Sequence, residues 1–244
     1  MNEKVNEKAS ERVIEYVFSP PPLVAVPVQG RAEMFPLRRI FCVGRNYEAH
    51  AREMGDVADR EAPFYFNKSA HDYVASGATI PYPPGTDNFH HEMELVVAIG
   101  KPGFRIASEA ALDHVFGYAC GLDMTRRDLQ SALREKQRPW DLAKDFENSA
   151  VVSEIAPAAS IGHPAKGRIE LAVNGEVRQS SDLSFLVHPV PALIAHLSRF
   201  YHLMPGDLIF TGTPEGVGPV RPGDRLEGTI EGVGSIALLI GEPE

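Results

Sequence analysis

The stretch FHHEMELVVAIGK, residues 89–101, decides how this chain is read. In an extended strand, alternate side chains share a face. Met93, Leu95, Val97 and Ile99 then form one wholly apolar face, while Glu92 and Glu94 lie together on the other and run into Val96 and Ala98. Two adjacent carboxylates entering a buried strand are costly, because each desolvated ion loses hydration and its neighbour repels it. On this stretch alone two resolutions stand open. Either the strand emerges into water at its N-terminal end, with both glutamates solvated, or a divalent cation removes both penalties.

Working outward, strand signals dominate. RIFCVG (39–44), FYFNK (64–68), GYACGLD (117–123), IELAVNGEVRQ (169–179), DLIFTG (207–212) and SIALLIG (235–241) are short, apolar or alternating, and bounded by Gly, Pro or Asp. Asn174-Gly175 predicts a two-residue hairpin turn. The PGD tripeptides at Pro205 and Pro222 predict turns that launch strands. Helices are fewer. SEAALDHV is expected to open on a Ser108 cap, and TRRDLQSALREK on Thr125 with Asp128 completing a capping box. GRNYEAHAREMG (44–55) reads as a short helix with Asn46 as N-cap and Gly55 just past its end. PALIAHLSRFYHLM places Ile194, Leu197, Tyr201 and Met204 on a core-facing stripe. Strands and helices do not alternate regularly, so an α+β, mainly β domain is expected in place of a doubly wound parallel sheet.

The chain has 244 residues, enough for one large domain, and a formal net charge of −9. That balance argues against nucleic acid and against an anionic membrane surface, both of which reward a basic face. The apolar runs are far too short to span a bilayer, and the polar start MNEKVNEKAS lacks the apolar core of a secretory signal. A cytoplasmic protein is expected. Cys42 and Cys120 sit in apolar stretches and read as buried, reduced thiols. Residues 1–37, with Pro20-Pro21-Pro22 and LVAVPV, read as an N-terminal extended arm or edge segment, and 38–244 as the packed domain.

Several segments carry reactive side chains. Asp123 shares strand parity with Ala119 and Gly121, small residues that leave space beside it. Alone it reads as a strand-end turn aspartate. With Glu92 and Glu94 it would give an all-oxygen site for Mg2+ or Mn2+, with Ca2+ also accommodated and zinc disfavoured. His50 and Glu53 lie one helical turn apart. The pair is either a local salt bridge or a carboxylate-oriented base that activates water. Lys68 in an aromatic strand needs an anion at its tip, whereas Lys144, flanked by acids, reads first as a solvated loop lysine. Arg126 and Arg127 are either clamps for a substrate carboxylate or surface residues. The loop around Thr211, Gly212 and Thr213 presents backbone N–H groups to an anionic oxygen, or is simply a tight turn.

Taken in order, GRNYEAHAREMG, FYFNKSA, NFHHEMELVVAIGK, GYACGLDMTRRDLQ, RPWDLAKDFENSA, LAVNGEVRQ and PGDLIFTGTPEGVGP resemble the fumarylacetoacetate hydrolase family, and within it the acylpyruvate hydrolase branch. The resemblance runs from about Leu37 to the C-terminus, and it is the ordered set that is specific. It implies a mixed β-roll with a few flanking helices. It implies metal ligands at Glu92, Glu94 and Asp123, a water-activating pair at His50 and Glu53, and a substrate lysine at Lys144. Lys68, Arg127, Gln130 and Thr211 to Thr213 are implied to meet substrate. Where relatives often have Lys-Pro after the aromatic strand, this chain has Lys68-Ser69, which loosens the loop before Asp72.

The implied reaction is cleavage of the carbon–carbon bond of an acylpyruvate, with fumarylpyruvate giving fumarate and pyruvate. The implied partner is a small 2-oxo acid, and the implied assembly is a homodimer. The helix carrying His50 is expected to act as a lid, bracketed by Gly44 and Gly55. Oxaloacetate decarboxylation, or isomerisation of a 2-hydroxymuconate-type diacid, would use the same metal-held enolate. A non-catalytic binding protein on the same fold is the third class.

Overall fold

A computed structural model describes residues 15–55 and 57–243; the charged start of the lead-in lies outside the described residues. Strands prevail and helices are short, as the sequence patterning requires. The largest sheet runs in the order Phe64–Lys68, Arg39–Gly44, Asp207–Phe210, Met93–Ile99, Val115–Asp123, Ala150–Val152, Tyr73–Ala75, with Ala156–Pro157 also pairing to Val115–Asp123. Met93–Ile99 is central, antiparallel to both neighbours, while Asp207–Phe210 lies parallel to Arg39–Gly44. A second sheet takes the order Glu176–Asp182, Arg168–Val173, Arg225–Ile230, Gly234–Pro243, Thr79–Tyr82. The mixed pairing identifies the curled β-roll that resemblance implied.

The face parity read from residues 89–101 holds. Met93, Leu95, Val97 and Ile99 join one core with the second sheet and the helix Val190–Leu197. Val96 and Ala98 join another core on the opposite face, with Cys42, Ala119, Leu208 and Phe210. Each large side chain buried in either core contributes about 1.5–3 kcal/mol. A hairpin of Ala25–Pro27 with Met34–Pro36 covers that second face through Val26 and Phe35. Both cysteines are buried and free.

Turn chemistry follows the sequence closely. Asn174 (φ 52°) and Gly175 (φ 80°) form the tight hairpin between Arg168–Val173 and Glu176–Asp182, and Gly206 and Gly223 take positive φ ahead of their strands. Helix caps do not follow. The Ser108 segment is a 3-10 helix with Ala107 at its cap and no side-chain capping bond. The helix Arg127–Glu135 likewise has no side-chain cap: Thr125 Oγ1 donates instead to the Asp123 carbonyl at 3.0 Å, and Asp128 takes the Thr86 hydroxyl. The stripe on Val190–Leu197 ends with the helix, so Ile194 and Leu197 are buried while Tyr201 and Met204 stand partly in solvent. For Thr125 and Asp128, tertiary bonding offered the side chain a stronger partner than the local cap.

Asp207 opens the strand beneath Arg39–Gly44 and is fully buried, with Arg38 Nη1 at 3.1 Å, Arg39 Nη2 at 2.7 Å and the Met204 N–H at 2.9 Å. Both arginines keep solvent contact, which weakens the pairing, but Asp207 itself is fully buried and its loss removes the acceptor of all three donors. Asp207→Ala is expected to lower the melting temperature by roughly 5–10 °C, corresponding to about 2–3 kcal/mol in a domain of this size. Thermal unfolding followed by circular dichroism reads the shift, and an unchanged midpoint would show that solvent replaces the pair.

Candidate active site

The site begins where strand Phe89–His91 runs into Met93–Ile99. Glu92 falls between them, and Glu94 is the second residue of the central strand, opposite Gly121 across the ladder. Gly121 has no room for a side chain, since a Cβ there would lie 2.5 Å from Val96 and 2.7 Å from Phe210. Asp123, two residues on, ends its strand with its N–H donating to the Glu92 carbonyl at 2.9 Å. Strand register therefore brings three carboxylates together. They offer oxygens that all lie within 4.8 Å of one another, and all three residues are buried. Neither glutamate is solvated.

Three cations approach this cluster from different elements. Lys144, last residue of the short helix Asp141–Lys144, places Nζ 2.7 Å from Glu92, 2.8 Å from Asp123 and 2.7 Å from Thr125 Oγ1. Arg127 donates Nη2 to Glu92 and Nη1 to Gln130. Its Nε points at His90 Nδ1 at 3.3 Å, and His90 Nε2 meets Asn88 Oδ1 at 2.9 Å. That pairing assigns the His90 proton to Nε2 and leaves Nδ1 to accept. Burial, with the Arg127 charge beside it, pushes the His90 pKa down to about 4 and keeps the ring neutral. Lys68 Nζ sits 2.9 Å from Asp123 Oδ1 and hydrogen-bonds to the carbonyls of Met124 and Lys144.

The electrostatics separate the acids. Burial disfavours the Glu92 anion, but Lys144 and Arg127 outweigh it and hold the carboxyl well below the usual range. Lys144 answers in kind: burial opposes its charge, while Asp123 and Glu92 more than restore it and raise its pKa. Glu94 goes the other way. Burial, then the charges of Asp123 and Glu92, push it well above the ordinary value, although the Gly212 N–H donates to Oε2 at 2.6 Å. Asp123 Oδ1 accepts no hydrogen bond despite the nearby Lys68. A crowded all-oxygen set with one acid forced toward neutrality and one oxygen without a donor fits a hard dication such as Mg2+ or Mn2+.

His50 lines the same cleft as Glu92 and Glu94. Its helix, Glu48–Glu53, places Nδ1 3.2 Å from Glu53 Oε2, and Glu53 Oε1 accepts the Gly216 N–H at 3.0 Å. Burial would raise the Glu53 pKa, but His50 and Gly216 hold it below the usual carboxylate range. With Nδ1–H on the carboxylate, Nε2 is the basic nitrogen. Gly216 (φ 91°) is required there, because a Cβ would lie 2.0 Å from the Arg178 carbonyl. Asn46 is not the helix cap. Its amide donates to the carbonyls of His188 and Thr211, pinning the helix to the Thr211–Thr213 turn.

The expected substrate residues divide. Arg127, Gln130 and Thr213 line the cleft with Lys144. Lys68 stands behind Asp123, Thr211 Oγ1 is committed to the Leu95 carbonyl, and the Gly212 N–H to Glu94. Arg126 turns away, donating to the Leu142 carbonyl above the Phe146 ring. Two features escaped the sequence reading. Gln179, wholly buried, bridges His91, the Met93 N–H, Thr213 and the Pro214 carbonyl. Arg45, Phe66, Arg134 and Trp140 also line the cleft. Alternation within EVRQ was the only signal for Gln179.

Comparison with known proteins agrees with this geometry. The sequence model of the fumarylacetoacetate (FAA) hydrolase C-terminal family matches residues 39–240. A fumarylpyruvate hydrolase of a Ralstonia species is 53% identical over 193 residues, covering 78% of this chain and 100% of that protein. The human mitochondrial oxaloacetate tautomerase FAHD1 is 42% identical over 207 residues, covering 85% of this chain and 93% of that protein. Among solved structures, fumarylpyruvate hydrolase from Pseudomonas aeruginosa in complex with Mn2+ and pyruvate superposes with a TM-score of 0.90 at 49% identity, covering 93% of this chain and 100% of that one.

Proposed function

The chain belongs to the fumarylacetoacetate hydrolase family, and on that premise we propose that it is a metal-dependent hydrolase cleaving the carbon–carbon bond of an acylpyruvate, with fumarylpyruvate giving fumarate and pyruvate. One observation carries the reading: Glu92 and Glu94 of the buried Glu92–Glu94–Asp123 cluster line one cleft together with His50, which Glu53 holds. The relative with the higher identity is a fumarylpyruvate hydrolase, and the oxaloacetate tautomerase stands further off.

Charge balance supports the substrate class. The three acids Glu92, Glu94 and Asp123 are equalled in number by the cations Lys68, Lys144 and Arg127, which pair with Glu92 and Asp123. A bound dication therefore leaves the site two charges positive, which suits a 2-oxo acid whose carboxylate and enolate together carry two negative charges. Such an ion would supply Lewis-acid stabilisation of the enolate oxygen. Lys144 adds a fixed ammonium at that end of the cleft, and Arg127 with Gln130 offers N–H donors to the carboxylate. His50, oriented by Glu53, takes a proton from the water that attacks the distal carbonyl. The bond between that carbonyl carbon and the methylene breaks, and its electron pair becomes the pyruvate enolate, which is then protonated at carbon.

Magnesium as the cellular ion, a homodimeric assembly and a cytoplasmic setting are proposed with it. The all-oxygen ligand set supports the first, the family resemblance the second, and the similarity to a bacterial fumarylpyruvate hydrolase the third. Among the described residues no helix is long and apolar enough to cross a membrane.

The test is loss of the ultraviolet absorbance of enolised fumarylpyruvate, run beside oxaloacetate, with Mg2+ or Mn2+ and again in excess chelator. Metal-dependent cleavage to fumarate and pyruvate, identified by NMR, is expected. An undiminished rate in chelator, or turnover of oxaloacetate alone, would overturn the assignment.

A further inference from the structure

The strand Glu176–Asp182 exposes a valine and buries a glutamine. Val177 is 51% exposed and Gln179 wholly buried, although residues two apart in a regular strand share a face. A β-bulge separates them. Leu171 pairs with Gln179 and Ala172 with Val177, so Arg178 is the extra residue. Bulges re-aim side chains, and this one puts Gln179 on the buried face of Leu171. Burying an amide is costly unless its hydrogen-bonding groups are satisfied.

Here all of them are. A glutamine side chain accepts two bonds at its oxygen and donates two from its nitrogen. Oε1 accepts the Met93 N–H at 3.0 Å and meets His91 Nδ1 at 3.1 Å, while Nε2 donates to the Pro214 carbonyl at 2.9 Å and to Thr213 Oγ1 at 2.8 Å. A backbone N–H only donates and a carbonyl only accepts, so Met93 and Pro214 fix the amide orientation and place the His91 proton on Nδ1. The Thr213 hydroxyl keeps its own hydrogen for the Met93 carbonyl at 2.8 Å. These partners belong to two parts of the site. His91 and Met93 flank Glu92, and Met93 lies between Glu92 and Glu94. Thr213 and Pro214 begin the loop whose Gly216 N–H donates to Glu53 at 3.0 Å, and Glu53 holds His50. The same loop is pressed onto the bulge: a Cβ on Gly216 would lie 2.0 Å from the Arg178 carbonyl and 3.2 Å from Gln179 Cα.

We propose that Gln179 is a positioning residue: it clasps the strand carrying Glu92 and Glu94 to the loop that orients Glu53, and so sets the His50 base against the metal cluster. The proposal rests on the hydrolase reading above and deepens it, since water can attack the distal carbonyl only if the base is in register with the metal-held end of the same substrate. A misplacement of about 1 Å between reacting groups costs on the order of a hundredfold in rate. Gln179 is not among the residues lining the cleft, so its effect belongs in the chemical step and not in KM.

Two variants and two measurements decide it. Gln179→Met keeps the length of the side chain and removes all four bonds. Gln179→Glu keeps the shape and the acceptor for His91 and Met93 but removes at least one donor to Thr213 and Pro214, and it carries the test should the methionine variant fail to fold. In the Mn2+-loaded enzyme each is expected to lower kcat for fumarylpyruvate about 10- to 100-fold, with KM within about threefold of wild type. In a His50→Ala background the same substitution should cost less than about threefold more, because its effect passes through a base that is no longer there. A protein merely loosened would lose the same factor in both backgrounds, and that result, or a loss confined to KM, would overturn the proposal. Independently of turnover, amide hydrogen exchange at Gly216 in metal-free Gln179→Glu protein is expected to quicken by about tenfold or more, while the strand Met93–Ile99 keeps its protection. Unchanged protection at Gly216 would equally overturn it. If the wild type cleaves no acylpyruvate, the hydrolase reading falls, and exchange at Gly216 still decides whether Gln179 holds the loop.

Discussion

His50→Ala is expected to slow acylpyruvate cleavage by about a hundredfold or more while leaving metal binding in place. His50 is not one of the three clustered acids, and its Nδ1 is tied at 3.2 Å to Glu53 on its own helix, so its removal takes no ligand from the cluster. What disappears is the nitrogen that accepts the proton of water. Isothermal titration with Mn2+ should give the wild-type affinity, and single-turnover kinetics should show the loss in the chemical step and not in KM. Glu53→Gln is expected to fall between the two proteins. It keeps a hydrogen-bond acceptor for Nδ1–H but removes the charge that steadies the imidazolium. A His50 variant with the wild-type rate would mean that water is activated elsewhere, and a variant that lost the metal would place His50 in the coordination shell.

The residues that made these expectations possible were legible because strand geometry is strict. Side chains alternate, so Glu92 and Glu94 had to share a face. The small residues Ala119 and Gly121 suggested space beside Asp123, but Val96 and Phe210 fill the place at Gly121, and it is the register Glu94↔Gly121 that sets Asp123 beside Glu92. Asn174-Gly175 and the two PGD turns were legible for the same reason, since a backbone at positive φ selects few residues. Caps were not. Asn46, Ser108 and Thr125 each carry the right chemistry for a helix start, yet Asn46 ties the turn at Thr211 and Thr125 ties Asp123 and Lys144.

Burial of polar residues was also hidden. Gln179 sits in a strand whose neighbours Arg178 and Ser180 are exposed, and only the arrival of His91 and Thr213 from distant segments makes its burial tolerable. Lys144 read as solvated because its sequence neighbours are acids, whereas its partners come from two other strands. The strand Arg225–Ile230 was passed over although its burial alternates, because Glu227, Gly228 and Thr229 weaken the local signal. Long-range partners decide such positions.

Glu94→Gln should be the most damaging conservative change in the molecule for activity and a harmless one for folding. In the metal-free protein Glu94 is buried against Asp123 and Glu92, and its carboxyl is driven well above its ordinary pKa, so it tends to hold a proton. Glutamine is close to that neutral form in shape and still offers an oxygen to the Gly212 N–H. The sign of the linkage follows. A carboxyl whose folded pKa is raised binds more protons folded than unfolded, so its contribution to stability is full below the unfolded value and is lost as pH rises toward the folded one. Metal-free wild type should therefore lose stability with rising pH in that window, and the Glu94→Gln protein should lose less. With metal the order inverts. The ion needs the carboxylate, so binding to the wild type should release a proton and tighten as pH rises. Removing this ligand should weaken Mn2+ binding by at least about a hundredfold and turnover by about a thousandfold or more, given that Lewis-acid stabilisation of the enolate amounts to several kcal/mol. Calorimetric titration in two buffers of different ionisation enthalpy reads the proton, and thermal unfolding with and without Mn2+ reads the crossover. A Glu94→Gln enzyme that bound Mn2+ normally would remove Glu94 from the metal site and leave its forced neutrality without a purpose.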